Sequence, residues 1–499
     1  MSVTRREFLK LLGASTLFAS LDWSRVVKAA VDEVKKGHVN IVWFEAQDCA
    51  GNTTALIQAT EPDLITILGG MSHTVGPGTV RLLFHETVML SWGERTPSYA
   101  WDLVKHPEKA EDLIKALEER AKKLGVRDPL VDTLKTFVSL GYNPGILLTS
   151  PIDILKLASE GKLDPFVLVI EGSIPIDSSL ASLHGVSGVP EHVDYFCYIG
   201  EENGKPVSCA TWLRRLLKRA VAVITVGNCA SYGGLIANKV VEADFMKKMG
   251  YDLFEKWGSR GWSLSPTGAV GFFPDKRRGF KGFIDLAPEA APFRNFAYKR
   301  CSLGPGEVRS NCRPAVAVPG CPANGNGQLR VIAHMVLWAL GKLPLPELDE
   351  YWRPTYIFGK TTHEQCPRAA WYAAGDFRKY PGENSARCLY AVGCKGPISH
   401  CPWNKVGWVN GVGGPTRTGG VCIGCTEPGF TDSFEPFYEK LPYVTASEEE
   451  LKRAALGGAI AVAAAGVAAG VWAELRSKKG KPPEEGAEAE KAEAPQGGG

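Results

Sequence analysis

Between residues 363 and 425 the chain carries six cysteines and a histidine at spacings that tie its fold to bound metal. The stretch contains T-T-H-E-Q-C, then R-C-L-Y-A-V-G-C-K-G-P-I-S-H-C-P-W-N, then V-C-I-G-C-T-E-P. Its donors are His363, Cys366, Cys388, Cys394, Cys401, Cys422 and Cys425. The H-x2-C and C-x2-C pairs are spaced so that neighbouring side chains turn toward one centre. Seven donors do not divide into two four-coordinate zinc sites. They do divide into a four-ligand cubane (His363, Cys366, Cys388, Cys394) and a three-thiolate site (Cys401, Cys422, Cys425), the arrangement that a 3Fe–4S centre takes. The segment is therefore expected to hold iron–sulfur clusters and to pass electrons.

The 499 residues are enough for two or three domains with a substantial core. Charge is balanced, with 57 Lys+Arg against 54 Asp+Glu, so no basic footprint points to nucleic acid. Thirteen cysteines are an odd number, which a pure disulfide framework would leave unpaired.

Upstream, apolar β-branched runs alternate with helix-like segments. The runs are Val39–Phe44, Leu64–Leu68, Phe166–Ile170, Val221–Val226 and Ala315–Val318. That alternation predicts an α/β fold with a parallel sheet covered by helices. Open sheets of this kind bind ligands beyond the carboxyl ends of their strands. The loops there carry Cys49, Glu171 (in E-G-S-I-P), Cys229 (in G-N-C-A-S-Y-G-G) and Cys321 (in P-G-C-P). Three cysteines on one rim suit a shared cluster, with Gly227, Gly233 and Gly320 allowing close backbone approach.

The G-C-K-G-P, Cys401-Pro402 and C-I-G-C-T-E-P motifs resemble the small subunit of nickel–iron hydrogenases, and the resemblance runs from about Val39 to Tyr438. It implies a flavodoxin-like sheet domain followed by an irregular iron–sulfur domain. It also implies a distal 4Fe–4S cluster on His363, Cys366, Cys388 and Cys394, and a medial 3Fe–4S cluster on Cys401, Cys422 and Cys425. A proximal 4Fe–4S cluster would use Cys49, Cys229 and Cys321. The nickel–iron centre would lie in a partner large subunit. Here the sequence departs from the family, because Asn52 stands where the C-x-x-C pattern places a fourth thiolate. Three arrangements satisfy that position: oxygen from Asn52 or a water, a cysteine from elsewhere (Cys197, Cys301 or Cys312), or a three-iron centre. A neutral oxygen donor in place of a thiolate would raise the cluster's potential.

Glu171 and Asp48 flank the cluster loops, as tuning or proton-relay groups or as ordinary hydrogen-bonded carboxylates. His85-Glu86 reads as structural, with contact to a partner subunit as the alternative. Cys209, within a helical pattern, is expected as a core thiol. His400 is left unassigned. Residues 106–162 include an amphipathic helix over K-A-E-D-L-I-K-A-L-E-E-R-A-K-K-L. Residues 236–313 are aromatic and rich in Gly and Pro, with a disulfide between Cys301 and Cys312 expected on the exported side; extension of a partner interface is the alternative.

Arg5 and Arg6 precede a short apolar run in R-R-E-F-L-K, which matches a twin-arginine export signal over residues 1–30. That route carries folded proteins, which reconciles many free thiols with an extracytoplasmic destination. The expected domains are 38–345 (with insertions at 106–162 and 236–313) and 346–444. A transmembrane helix at 454–473 and a disordered tail at 476–499 follow. Arg476, Lys478, Lys479 and Lys481 place the C-terminus in the cytoplasm. The reading is an electron-transfer subunit of a membrane-anchored uptake hydrogenase, handing electrons to a membrane cytochrome b or another quinone- or sulfur-linked acceptor. The alternatives are an iron–sulfur subunit of another exported oxidoreductase, such as a sulfur-reducing complex, and a tethered zinc or disulfide protein with a binding role.

Overall fold

A parallel five-stranded sheet runs through the computed structural model, which describes residues 39–440 apart from most of 61–80, 88–97, most of 140–147, most of 239–259 and position 410. Its strands are β1 (Asn40–Glu45), β2 (Arg81–His85), β3 (Phe166–Glu171), β6 (Ala222–Val226) and β7 (Ala315–Val318). A separate antiparallel hairpin is formed by β4 (Tyr198–Glu202) and β5 (Lys205–Ser208). The sheet order is β2-β1-β3-β6-β7. Leaving out the hairpin, that is the 2-1-3-4-5 order of flavodoxin-like sheets. Four of the five expected strands are present. The Leu64–Leu68 run falls mostly outside the described residues, and the strand beside β1 is Arg81–His85 instead.

Both faces of the sheet are covered, which is why β1, β3, β6 and β7 are buried at every position. Successive side chains alternate between two cores. Val42, Phe44, Leu168 and Ile170 face one core, where Trp212, Phe272, Phe283 and Phe293 pack. Ile41, Trp43, Val167 and Val169 face the other, built on Leu329, Ile332 and Met335. Trp262, Phe272, Phe273, Phe283 and Phe293, from the 236–313 stretch, thus belong to the main core of this sheet.

The helices that matter for the site are few. The first, α1 (Gly51–Ile57), follows β1 directly. The amphipathic stretch forms α2 (Ala110–Leu124), ended by Gly125 in the left-handed conformation and packed on Val131 and Leu134. Next come α3 (Cys209–Leu217), capped by Ser208, and α4 (Gly227–Tyr232), directly after β6. The long buried helix α5 (Gly325–Ala339) begins where the Asn324 side chain accepts Gly327 N–H. Over the described residues 359–440 regular structure gives way to turns, with short helices at Ala369–Ala373 and Trp403–Val406 and single 3-10 turns at Tyr390–Val392 and Gly396–Ile398. This segment is joined to the sheet through Trp403, which enters the core beside α5.

Two disulfides are present. Cys301–Cys312 is the expected pair. Cys209 is not a free core thiol as the helical pattern suggested: it is bonded to Cys197, because the β4–β5 hairpin brings the start of α3 back beside the residue preceding β4. No helix among the described residues is long and apolar enough to cross a membrane. The expected leader (1–30), membrane span (454–473) and tail (476–499) lie outside the described residues.

Candidate metal centres

The nine cysteines that are not in disulfides fall into three groups of three. At the carboxyl ends of β1, β6 and β7, Cys49, Cys229 and Cys321 are close enough to act on one another electrostatically. Cys49 and Cys321 are exposed, whereas burial pushes the Cys229 thiol up to about 11. Cys366, Cys388 and Cys394 form a second mutually coupled group, and burial pushes Cys388 up to about 12. With His363 they line one recess. The Cys366 thiol donates to Thr416 Oγ1 (3.2 Å) and accepts from Arg368 N–H (3.4 Å). The His363 ring is buried, held neutral by that burial, and meets Tyr372 edge-on at 4.4 Å. The third group is Cys401, Cys422 and Cys425, all raised by burial.

The third group adjoins both of the others. Cys425 of the third group lies close enough to Cys321 of the first for the two thiols to act on one another electrostatically. At the other side, Cys422 is electrostatically coupled to Cys394, and Lys395 N–H donates to Cys422 O at 2.8 Å. Asn228 adds a tie: its carboxamide donates to Cys425 O (2.9 Å) and Glu427 O (2.8 Å), while its backbone N–H donates to Gly320 O (2.7 Å).

The donor chemistry fits iron–sulfur clusters. Burial raises Cys229, Cys388, Cys394, Cys401, Cys422 and Cys425, which disfavours their thiolates without metal, whereas a coordinated thiol is deprotonated outright. Two groups of three thiols and one of three thiols plus an imidazole match the soft donors that iron–sulfur clusters take. Cys197, Cys301 and Cys312 are consumed by disulfides, so none of them supplies a fourth donor to the first group. Asn52 sits in this group's rim and is buried. Its Oδ1 accepts Ala323 N–H at 2.8 Å, and its backbone N–H donates to Glu171 at 3.0 Å. The carboxamide lies where a Cβ on Gly227 would stand, 2.4 Å from it; Gly227, at φ 84°, is what allows that approach.

Register explains the carboxylates around it. β1 pairs with β3 so that Glu45 faces Glu171, and Asp48 follows in the loop after β1. Oxygens of the three lie within 4.8 Å of one another. Glu171 accepts from Trp43 Nε1 (3.0 Å), Asn52 N–H and Thr53 Oγ1 (2.7 Å), which fixes the start of α1. Asp48 accepts Ala50 N–H, and Ala50 takes φ 52°, strained for a residue with a side chain. Burial raises Glu45, Asp48 and Glu171, and raises Glu86 further. Like charges so close favour shared protons. His85 stacks on Trp43 in the core, where burial pulls it down to about 4. His400 acquires a partner, with Nδ1 3.2 Å from Glu427 Oε1.

Sequence reasoning missed Asn228, Arg353 and Glu427. Asn228 and Glu427 lie within the cysteine motifs themselves, close to Cys229 and Cys425. Arg353 gave no local signal toward the cysteines, since its bonds to Thr426 and Glu427 span some seventy residues.

Comparison with known proteins follows the same division of the chain. Residues 358–438 match the family defined by the C-terminal part of the NiFe/NiFeSe hydrogenase small subunit. Residues 49–335 match the family of the NADH ubiquinone oxidoreductase 20 Kd subunit. The uptake hydrogenase small subunit of Azotobacter vinelandii is 37% identical over 366 residues, covering 71% of this chain and 79% of that one. The F420 non-reducing hydrogenase II small subunit of Methanosarcina mazei is 26% identical over 492 residues, 96% of this chain and 95% of that one. In fold, the chain is similar to the actinobacterial-type NiFe-hydrogenase from Ralstonia eutropha H16, with TM-score 0.52, 24% identity and coverage of 84% and 88%. The chain belongs to the small subunits of nickel–iron hydrogenases, electron-transfer partners in a heterodimer whose catalytic site is in the large subunit.

Proposed function

We propose that this chain is the small subunit of a membrane-bound hydrogenase that oxidises hydrogen, and that it holds three iron–sulfur clusters between the large subunit and a membrane acceptor. Cys49, Cys229 and Cys321 would hold a proximal 4Fe–4S cluster, its fourth position taken by Asn52 or water oxygen or left as a three-iron centre. Cys401, Cys422 and Cys425 would hold a medial 3Fe–4S cluster. His363, Cys366, Cys388 and Cys394 would hold a distal 4Fe–4S cluster. When bound, such clusters supply one-electron redox chemistry.

The observation that carries this reading is that the third donor group adjoins both of the others, through Cys321–Cys425 and Cys422–Cys394. Short separations between successive donor groups are what a relay needs. The exposed Cys49 and Cys321 suit docking of the large subunit at the rim of the sheet. Trp371 and Tyr380, exposed in the distal segment, suit an exit toward cytochrome b or another quinone- or sulfur-linked acceptor. Two disulfides agree with an extracytoplasmic location reached by the twin-arginine signal. The 454–473 segment would then anchor the chain with its C-terminus in the cytoplasm.

Hydrogen-dependent dye reduction tests the first part. It is expected from the heterodimer and absent from the isolated small chain; turnover by the isolated chain would contradict the reading. Membrane attachment is tested by alkaline extraction of full-length and 454–499-deleted chains. Only the full-length chain should stay with the membrane.

A further inference from the structure

The medial group is flanked by a buried ion pair that the cluster ligation does not use. Arg353 and Glu427 are 1% and 2% exposed, and Arg353 Nη1 donates to Glu427 Oε1 at 2.7 Å. The same nitrogen donates to Thr426 O at 3.0 Å, and Arg353 Nε donates to Asp349 Oδ2 at 2.7 Å. The guanidinium stacks on Tyr351 and Phe358, at 5.0 and 5.6 Å from their ring centres. Glu427 Oε1 also accepts the His400 backbone N–H at 2.7 Å. His400 precedes Cys401, and Glu427 is two residues beyond Cys425, so one carboxylate oxygen ties both medial loops, that of Cys401 and that of Cys422 and Cys425, to a buried cation. Both charges act on the medial thiols: Glu427 on Cys401 and Cys425, Arg353 on Cys401.

We propose that the Arg353–Glu427 pair sets the reduction potential of the medial site, with both side chains acting as positioning residues that also fix the local charge. This rests on the three-thiolate reading above. The physical reason is that a cluster's potential follows the charges and hydrogen bonds around its sulfurs, and that charges buried away from water act strongly over short distances. A negative charge beside the site opposes its reduction, and a positive charge favours it.

Glu427→Gln separates charge from geometry. The amide oxygen can stay where Oε1 is and still accept from Arg353 and His400, while the negative charge is gone. Arg353→Met removes the opposing charge. In the purified heterodimer, redox titration followed by electron paramagnetic resonance reads each cluster separately. The expected result is an upward shift of the medial midpoint in Glu427→Gln and a downward shift in Arg353→Met. The double variant should return toward the unaltered protein, and Glu427→Asp should remain near it. Iron per chain and the other two midpoints should not move in Glu427→Gln. An unmoved medial midpoint in Glu427→Gln with full iron would overturn the proposal, and so would equal shifts at all three clusters. An unaltered heterodimer without an oxidised three-iron signal would overturn the cluster assignment itself, and this inference with it.

Discussion

The sheet region and the segment after Gly359 are held together by different physics. In the sheet, four strands are buried at every position and two apolar cores press on its faces. In the segment, Leu389, Val392 and Val421 form a small apolar cluster, and turns prevail over helices. Hydrophobic burial suffices for the first. The second has too little apolar surface to offset the entropy of ordering its turns, so bound metal and a few long-range polar ties must do so. The lesson is that a cluster-binding segment can dispense with regular structure when its ligands fix the loops.

The contrast is broken most directly by removing metal. Chelation of the heterodimer should deprotect amides across residues 359–440 to hydrogen exchange while β1, β3 and β6 stay protected. Equal protection of both regions in the stripped protein would refute the contrast. In the opposite direction, Leu168→Ala empties space in the sheet core, where Leu168 is fully buried. It should cost about 2–5 kcal/mol and lower the unfolding midpoint, with visible cluster absorption unchanged in the folded protein.

The two kinds of cysteine sharpen the comparison further. Replacing Cys197 and Cys209 by serine should cost about 2–4 kcal/mol and leave iron per chain unchanged. Replacing Cys422 by serine should lower iron per chain. A fall in iron in the first variant would place that disulfide in the cluster machinery. The smallest effect is at the join. Asn228→Leu removes two side-chain hydrogen bonds to Cys425 and Glu427, and should cost about 1–3 kcal/mol. Faster hydrogen exchange confined to residues 422–428 is the readout; no local change would deny Asn228 its role as a tie.

What could be read from sequence follows the same divide. The donor groups of the segment were legible because Cys and His spacing is a local signal, as were four strands marked by β-branched runs. Arg81–His85 carries no such mark: Arg and His bound only three apolar residues, while the nearby Leu64–Leu68 run carries a stronger β pattern. Cys209 reads as a core thiol because its helix is amphipathic, and its partner Cys197 lies across a hairpin. The Arg353–Glu427 pair and the Asn228 bonds to Cys425 and Glu427 join residues from distant parts of the chain, and no local pattern announces them. Asn52 stands out in sequence as the odd residue of its loop. Its bond to Ala323 became visible only with the fold.

Iron and inorganic sulfide per small subunit, with electron paramagnetic resonance of the oxidised and hydrogen-reduced heterodimer, test the central claim of three clusters most directly. The account predicts about eleven irons, from four, three and four, and a three-iron signal in the oxidised state. A total of about seven irons, with no proximal signal on reduction, would contradict a relay that begins at Cys49, Cys229 and Cys321.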